Sequence, residues 1–225
     1  MLRKSTAKVY RYIRFRKGFG VHSPFAFSLI NKVIEEKKPY YAFEDIETLL
    51  SQNLRSKTYS VKYGRLLFRL VHFFRSQSVL QIGISNGVSS LYLNAAAKQL
   101  LVLDDNAECV KKAIALNELQ KPLHVMHGEY LTSISEVFSQ SGDIDIIYLN
   151  VSKNAELTQK LFEKCLPHIH AQTICIIDGI RKKNMKPVWK QIKQRQDIPI
   201  TMDLYSLGLV FFDRKMYKKN YKIFF

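Results

Sequence analysis

The chain has 225 residues, 47% of them hydrophobic, enough to bury one substantial core. Its 35 basic residues outweigh 19 acidic ones, giving a formal charge of +16 and a surface suited to polyanions, so nucleic acid or a phosphate-bearing molecule is a candidate partner. No apolar run approaches the roughly 20 residues needed to span a bilayer, and Met1-Leu2-Arg3-Lys4 leads into no signal-peptide core, so the expectation is a cytoplasmic protein with no membrane partner. The first 17 residues are basic and free of acids, which leaves a transit peptide as the lesser alternative. Cys109, Cys165 and Cys175 show no C-x-x-C pairing and no histidines at metal-ligand spacing, and they read as small buried hydrophobes.

Residues 1–57 read as a basic, aromatic-rich and mainly helical extension. From Arg11 to Phe27, cations alternate with aromatics around a glycine-rich turn. Such a pattern suits either an amphipathic segment packed on the main domain or a lid over a substrate entry. His22 is accordingly either a structural histidine or an acid or base.

The stretch Val79-Leu80-Gln81-Ile82-Gly83-Ile84-Ser85-Asn86-Gly87 is an apolar run ending in a glycine-bearing turn. A helical segment follows, and a second apolar run, Leu100–Leu103, ends in Asp104-Asp105, about 20 residues beyond the first glycine. That is a nucleotide-binding βαβ unit, with an acid placed to grip a ribose. A dinucleotide fingerprint needs G-x-G-x-x-G, whereas here residues 85 and 89 are serines. A G-x-x-x-G turn still brings bare backbone close to a ligand, and it suits a cofactor without phosphates. S-adenosylmethionine fits that description.

Further apolar runs at His124–Met126, Ile144–Leu149 and Thr173–Ile177 alternate with helical segments, the pattern of a parallel sheet with crossover helices. Asn86 is placed to cap the first crossover helix, Ser133-Ile134-Ser135-Glu136 has the form of a capping box, and Asn184 precedes a helix with Pro187 in its first turn. Leu157, Leu161, Phe162, Cys165 and Leu166 recur at helical spacing as one buried face. Only Tyr205 and Ser206 separate Ile198–Leu204 from Leu207–Phe212, so these two should pair antiparallel.

In this order of elements the chain resembles the class I S-adenosylmethionine-dependent methyltransferases, from about residue 58 to about residue 213. The resemblance implies an α/β fold for residues 58–225, with a Rossmann-like seven-stranded methyltransferase sheet and a terminal antiparallel hairpin. Gly20-Val21-His22-Ser23-Pro24-Phe25 also resembles the N-terminal signature of a bacterial branch of methyltransferase-like proteins, which bears on fold and names no substrate.

Carried over position by position, the resemblance places Gly83, Ser85 and Gly87 against the cofactor's methionine portion and Asp104 on the ribose, with Asp105 sharing that task. Glu129, in Gly128-Glu129-Tyr130, matches a polar residue that reaches the adenine amino group, or else is a solvated loop end. Gln81 stands where the family usually has an acid near the cofactor's amino group, and Asn150 stands where the metal-dependent branch has an aspartate. One aspartate in Asp178-Gly179-Ile180-Arg181 makes a poor site for a hard cation, so no catalytic metal is expected. If the acceptor is a hydroxyl or a protonated amine, Asp178, Tyr130 and His22 are candidate bases, and Asn150 can orient the acceptor. The basic run Arg181–Lys186 should sit at the same carboxyl-end rim. The expected activity is metal-independent methyl transfer to a small or phosphate-bearing acceptor. The alternative is a non-catalytic binding protein of the same fold, holding RNA through its basic surface, since fold alone does not determine function.

Overall fold

Short apolar runs shielded on both sides form the middle of the sheet. In the computed structural model, which describes residues 21–53, 61–118, 121–223 and 225, five strands lie parallel: β1 (Ser78–Ile82), β2 (Gln99–Asp104), β3 (His124–His127), β4 (Ile146–Leu149) and β5 (Ile174–Ile177). β6 (Ile200–Asp203) and β7 (Gly208–Phe211) pair antiparallel as expected, and β7 inserts beside β5. The strand order is β3-β2-β1-β4-β5-β7-β6-β8.

The last strand corrects the expected count of seven. β8 (Lys219–Lys222) joins the edge of β6 in parallel, from Ile200 opposite Lys219 to Asp203 opposite Lys222. Its sequence, Lys-Asn-Tyr-Lys, has no apolar alternation to announce a strand. Edge pairing and side-chain bonds hold it instead: Thr201 Oγ1 donates to Asn220 Oδ1 at 2.7 Å, and Lys218 Nζ donates to the Ile198 carbonyl at 2.6 Å.

Alternation along the strands divides the core between two faces. Ile146 and Tyr148 of β4, Ile174 and Ile176 of β5, and Leu209 and Phe211 of β7 all face one cluster. Their neighbours Ile147 and Leu149, Cys175 and Ile177, and Val210 and Phe212 face the other. Helices α6 (Tyr130–Gln140), α7 (Ala155–Cys165) and α8 (Met185–Gln194) cover the second face. The predicted stripe of α7 is buried at Leu161, Phe162 and Cys165 and half-buried at Leu157 and Leu166. Cys165 and Cys175 are both free thiols in that core, and burial pushes the Cys165 thiol up to about 12. Among the described residues no helix is long and apolar enough to cross a membrane.

The first face is covered partly by the extension. α1 (Pro24–Leu29) runs into a π-helical turn (Ile30–Ile34), and its Ala26, Leu29, Ile30 and Val33 join the same buried cluster as Val79 and Ile174. α2 (Tyr41–Asn53) packs through Phe43 and Ile46 on α3 (Val61–Phe74) and α4 (Val88–Ala96). The described part of the extension is therefore a layer of the main core. Most of the alternation of cations and aromatics, residues 11–20, lies outside the described residues.

Two expected caps are relocated. Gly87, left-handed at φ 80°, is the N-cap of α4, while Asn86 Oδ1 only accepts from Val88 N at 3.3 Å. Ser133–Glu136 lies inside α6, because Glu129 caps that helix four residues earlier by accepting from both Leu131 N and Thr132 N. Asn184 and Pro187 open α8 as expected.

Gly64 of α3 meets α4 so closely that an added Cβ would lie 2.3 Å from the ring of the fully buried Tyr92. Alanine would gain about 1 kcal/mol of helix propensity, but the overlap costs about 1–3 kcal/mol. Gly64→Ala should therefore lower stability in a urea titration by up to roughly 2 kcal/mol. An unchanged or raised midpoint would mean that the Tyr92 ring shifts without cost.

Candidate active site

The strand order reverses direction at β1, whose neighbours are β2 on one side and β4 on the other. Crossover loops leave that junction in opposite directions and open a crevice at the carboxyl ends of the strands. The loops after β1, β2, β4 and β5 line it, and they carry Gly83, Asp104, Asn150 and Asp178 respectively.

The turn after β1 is held in an unusual backbone path. Gly83, Ser85 and Gly87 all have positive φ, at 88°, 61° and 80°. A Cβ on Gly83 would lie 2.7 Å from the Asn150 carbonyl oxygen, so glycine alone lets β1 and β4 pass there. Gly83 N donates to the Leu103 carbonyl, and Asn150 N donates to the Ile82 carbonyl. Ser85 is exposed, and the N–H groups of Ser85 and Asn86 bond to no other described residue. They leave two adjacent backbone donors at the mouth of the turn.

Asp104 closes the turn from the side. It is 3% exposed, its Oδ2 accepts from Ile84 N at 2.6 Å, and its Oδ1 accepts from Asn106 N at 2.8 Å. The carboxylate thus bridges the loops after β1 and β2, with lone pairs left on both oxygens. Asp105 is exposed beside it, and its carbonyl meets His127 Nε2 at 3.2 Å. Glu129 is also exposed, with its two oxygens capping α6; those backbone bonds hold its carboxyl below the usual range.

Gln81 lies behind the turn, and this changes its part. Fully buried, its amide donates to the Gly83 carbonyl at 2.9 Å and to Ser89 Oγ at 3.1 Å, and it accepts from Ser90 Oγ at 3.0 Å. It supports the turn and presents no surface to a ligand.

Of the candidate bases, Asp178 stands at the rim. Burial raises its carboxyl above the usual range, against the opposing hydrogen bond from Ser152 and the charge of Lys182. Tyr130 is not placed as a base. It is a buried α6 residue whose phenol is pushed above its usual range, first by burial and then by the Asp104 and Asp105 carboxylates. His22 is exposed ahead of α1, and Phe25 three residues on packs against Phe211. Phe211 pairs with Ile174, the opposite end of β5 from Asp178, so His22 is not brought to the crevice.

Sequence reasoning did not single out Ser152, and it took Lys182 only as a member of the basic run Arg181–Lys186. Ser152 Oγ donates to Asp178 Oδ2 at 2.9 Å and receives Lys182 Nζ at 2.6 Å. The i,i+4 spacing of Asp178 and Lys182 and the serine two residues after Asn150 were visible, but only the adjacency of β4 and β5 joins them. Among the described residues, no group of three or more His, Cys, Asp or Glu is placed to hold a metal ion.

Replacing Gln81 with the acid that the family resemblance leads one to expect should harm the protein. In Gln81→Glu, the Gly83 carbonyl and Ser89 lose their amide donor, and a carboxylate is buried without a cation. The loss at pH 7.5 should be about 3 kcal/mol or more. Burial raises the folded-state pKa of that carboxyl, so the folded state binds more protons than the unfolded one. The loss should therefore grow as pH rises above about 4. Urea titrations at pH 4.5 and 7.5 measure this; a penalty that shrinks with rising pH would refute the buried placement.

By sequence, the chain matches no family model and no curated protein. By structure, it is similar to an O-methyltransferase from Bacillus cereus solved with SAH, at TM-score 0.60 and 16% identity, covering 82% of this chain and 96% of that one. It is also similar to the SAH-bound methyltransferase PaMTH1 from Podospora anserina, at TM-score 0.62 and 10% identity, covering 84% and 96%. A third is the O-methyltransferase TomG from Streptomyces achromogenes, involved in tomaymycin synthesis and solved with SAM, at TM-score 0.60 and 15% identity, covering 84% and 94%. The described residues thus share the Rossmann-like fold of these methyltransferases, with an eighth strand at the edge of the sheet.

Proposed function

We propose that this protein is an S-adenosylmethionine-dependent methyltransferase acting on an oxygen of a small acceptor. The observation that carries the reading is Asp104, a buried carboxylate fixed by two backbone N–H groups at the mouth of the glycine turn. A ribose diol needs an oriented carboxylate, and here the orientation is set before any ligand arrives. Asp105 is exposed beside it to share the hydroxyls. The N–H groups of Ser85 and Asn86, which bond to no other described residue, suit an amino-acid carboxylate. Gly83 keeps the floor of the turn bare, and a side chain there would meet the Asn150 carbonyl. Glu129 is the candidate for the adenine amino group, through lone pairs that its capping bonds leave open.

When bound, the sulfonium cofactor supplies an activated methyl group, and the protein's part is chiefly positioning. Asn150 lies between the turn and Asp178, where it can orient the acceptor. The neighbours named as O-methyltransferases support oxygen as the acceptor atom. Asp178 is half-buried, and burial raises the proton affinity of its carboxylate, which suits the removal of a hydroxyl proton.

Calorimetry with S-adenosylhomocysteine tests the reading. The intact protein should bind it with micromolar affinity. Asp104→Asn keeps one acceptor oxygen for the turn but loses the charge, so it should bind at least about 10-fold more weakly. No binding by the intact protein would sink the proposal and favour a non-catalytic role for the fold.

A further inference from the structure

Lys182 is held at the crevice in a way that its part in a surface basic run does not explain. Its ammonium lies across Ser152, donating to Oγ at 2.6 Å, and stands 3.9 Å from Asp178 Oδ2. Ser152 is 3% exposed, and its own hydroxyl proton goes to Asp178 at 2.9 Å. Asn184 Nδ2 reaches the carbonyls of Ser152 and Lys153, both at 3.2 Å, and ties the loops after β4 and β5 together. Gly179, left-handed at φ 69°, leaves room for this crossing. A Cβ there would lie 2.5 Å from Ser152 Oγ and 3.0 Å from Lys182 Cε.

An ammonium has three N–H donors. One is engaged by Ser152, and 3.9 Å to Asp178 is an ion pair beyond hydrogen-bond length. The Lys182 side chain remains 48% exposed and that of Asp178 28%, so both heads meet solvent at the rim. Near Asp178 stands the Tyr63 hydroxyl from α3, itself close to Ser206 and to Tyr205 in the turn after β6. Arg181 is engaged with an aromatic ring, its guanidinium 4.1 Å above that of Tyr205. Lys182 is thus the cation whose ammonium stands beside the Asp178 carboxylate. A divalent ion there would find that single carboxylate already facing an ammonium, a poor match to the oxygen set that Mg²⁺ requires.

We infer that Lys182 is the acceptor-site cation of this protein: its ammonium, seated on Ser152, binds the acceptor's ionising hydroxyl as the oxyanion while Asp178 receives the proton. The O–H bond breaks heterolytically, its electron pair stays on the acceptor oxygen, and the proton moves to an Asp178 carboxylate oxygen. Nothing is oxidised or reduced. The inference deepens the methyltransferase reading and rests on it for what the oxyanion then does. An opposite charge within 4–6 Å of an acid commonly favours the ionised form by one to three pK units. The bound oxyanion should accordingly be preferred over the hydroxyl by about 10–1000-fold.

The test uses 4-nitrophenol, whose visible phenolate band reports ionisation directly, and whose ring suits a rim bearing Tyr63 and Tyr205. The full-length protein, Lys182→Met, Lys182→Arg and Ser152→Ala would be titrated with the probe between pH 5.5 and 8.5, with and without saturating S-adenosylhomocysteine. Melting temperatures and S-adenosylhomocysteine calorimetry on the same samples would check folding and the neighbouring site. The parent should bind phenolate in preference to phenol by the factor above, Lys182→Met should lose the preference, and Lys182→Arg should keep most of it. Ser152→Ala should weaken it without abolishing it, and Mg²⁺ or EDTA should change nothing. Three results would overturn the inference: failure of the parent to bind phenolate at millimolar probe, an undiminished preference in Lys182→Met, or a preference that appears only with Mg²⁺. Absence of S-adenosylhomocysteine binding would instead overturn the methyltransferase reading, and a Lys182-dependent phenolate preference measured without the nucleoside would still support the cation's role.

Discussion

The carboxyl edge of the sheet depends on how closely two chain segments pass at Gly83. The bare α-carbon sits over the Asn150 carbonyl, with room for no further atom. Such contact draws the loop after β1 and the loop after β4 onto one crevice, so groups separated by some seventy residues share a wall. It also imposes a conformation that the backbone does not favour for residues with side chains, since Ser85 is left-handed as well. The neighbourhood sustains that path with polar groups. Gln81 satisfies the turn from beneath, Asp104 satisfies it from the side, and the Leu103 carbonyl takes the Gly83 N–H. Each is a buried group that would be costly to leave without its partner. The turn is therefore braced on several sides before any ligand arrives, the condition that preorganisation requires.

Much of this was legible in the sequence because it follows from period and spacing. Strands buried on both faces must be continuous apolar runs, and Ile146–Leu149 and Ile174–Ile177 are such runs. A parallel sheet needs long crossovers and a hairpin does not, so the short gap at Tyr205-Ser206 announced the change of direction. What was not legible depends on contacts between segments distant in sequence. Gln81 occupies a family ligand position, yet parity along β1 turns its side chain toward Ser89 and Ser90 of α4 and away from the crevice. Tyr130 follows directly on a candidate ligand residue, yet it begins a helix and enters the core. β8 is held by the free edge of β6 and by bonds from its polar side chains, and no hydrophobic pattern records that.

Net charge gives a weaker guide to partners than its size suggests, because several of the cations are structural. Arg195 forks between Glu163 and Asp197, Arg65 pairs with Glu47, and Lys218 and Lys121 donate to backbone carbonyls. These groups fasten loops and helix ends, and a counter-ion or polyanion would have to displace bonds already made. The cations of α8 divide similarly. Met185, Val188, Trp189 and Ile192 form its buried stripe, which leaves Lys186 and Lys190 on the solvent face. That is the ordinary amphipathic arrangement, and it accounts for these two lysines without calling on a nucleic acid.

Lys182 differs from these because its partner is a hydroxyl set between it and the carboxylate. Had Lys182 closed directly on Asp178, the two charges would have satisfied each other, and little field would remain for a third group. With Ser152 interposed, the carboxylate accepts from the hydroxyl and the hydroxyl accepts from the ammonium, while the charges stay 3.9 Å apart. The chain of bonds has a direction, running from cation to hydroxyl to anion, and it fixes both heads without neutralising either. Asp178 keeps a lone pair for a proton, and Lys182 keeps N–H donors for an oxyanion. The same four residues that make the rim a poor cage for a divalent cation, Ser152, Asp178, Gly179 and Lys182, thereby supply the positive charge and the proton acceptor that such an ion and its ligands would otherwise provide.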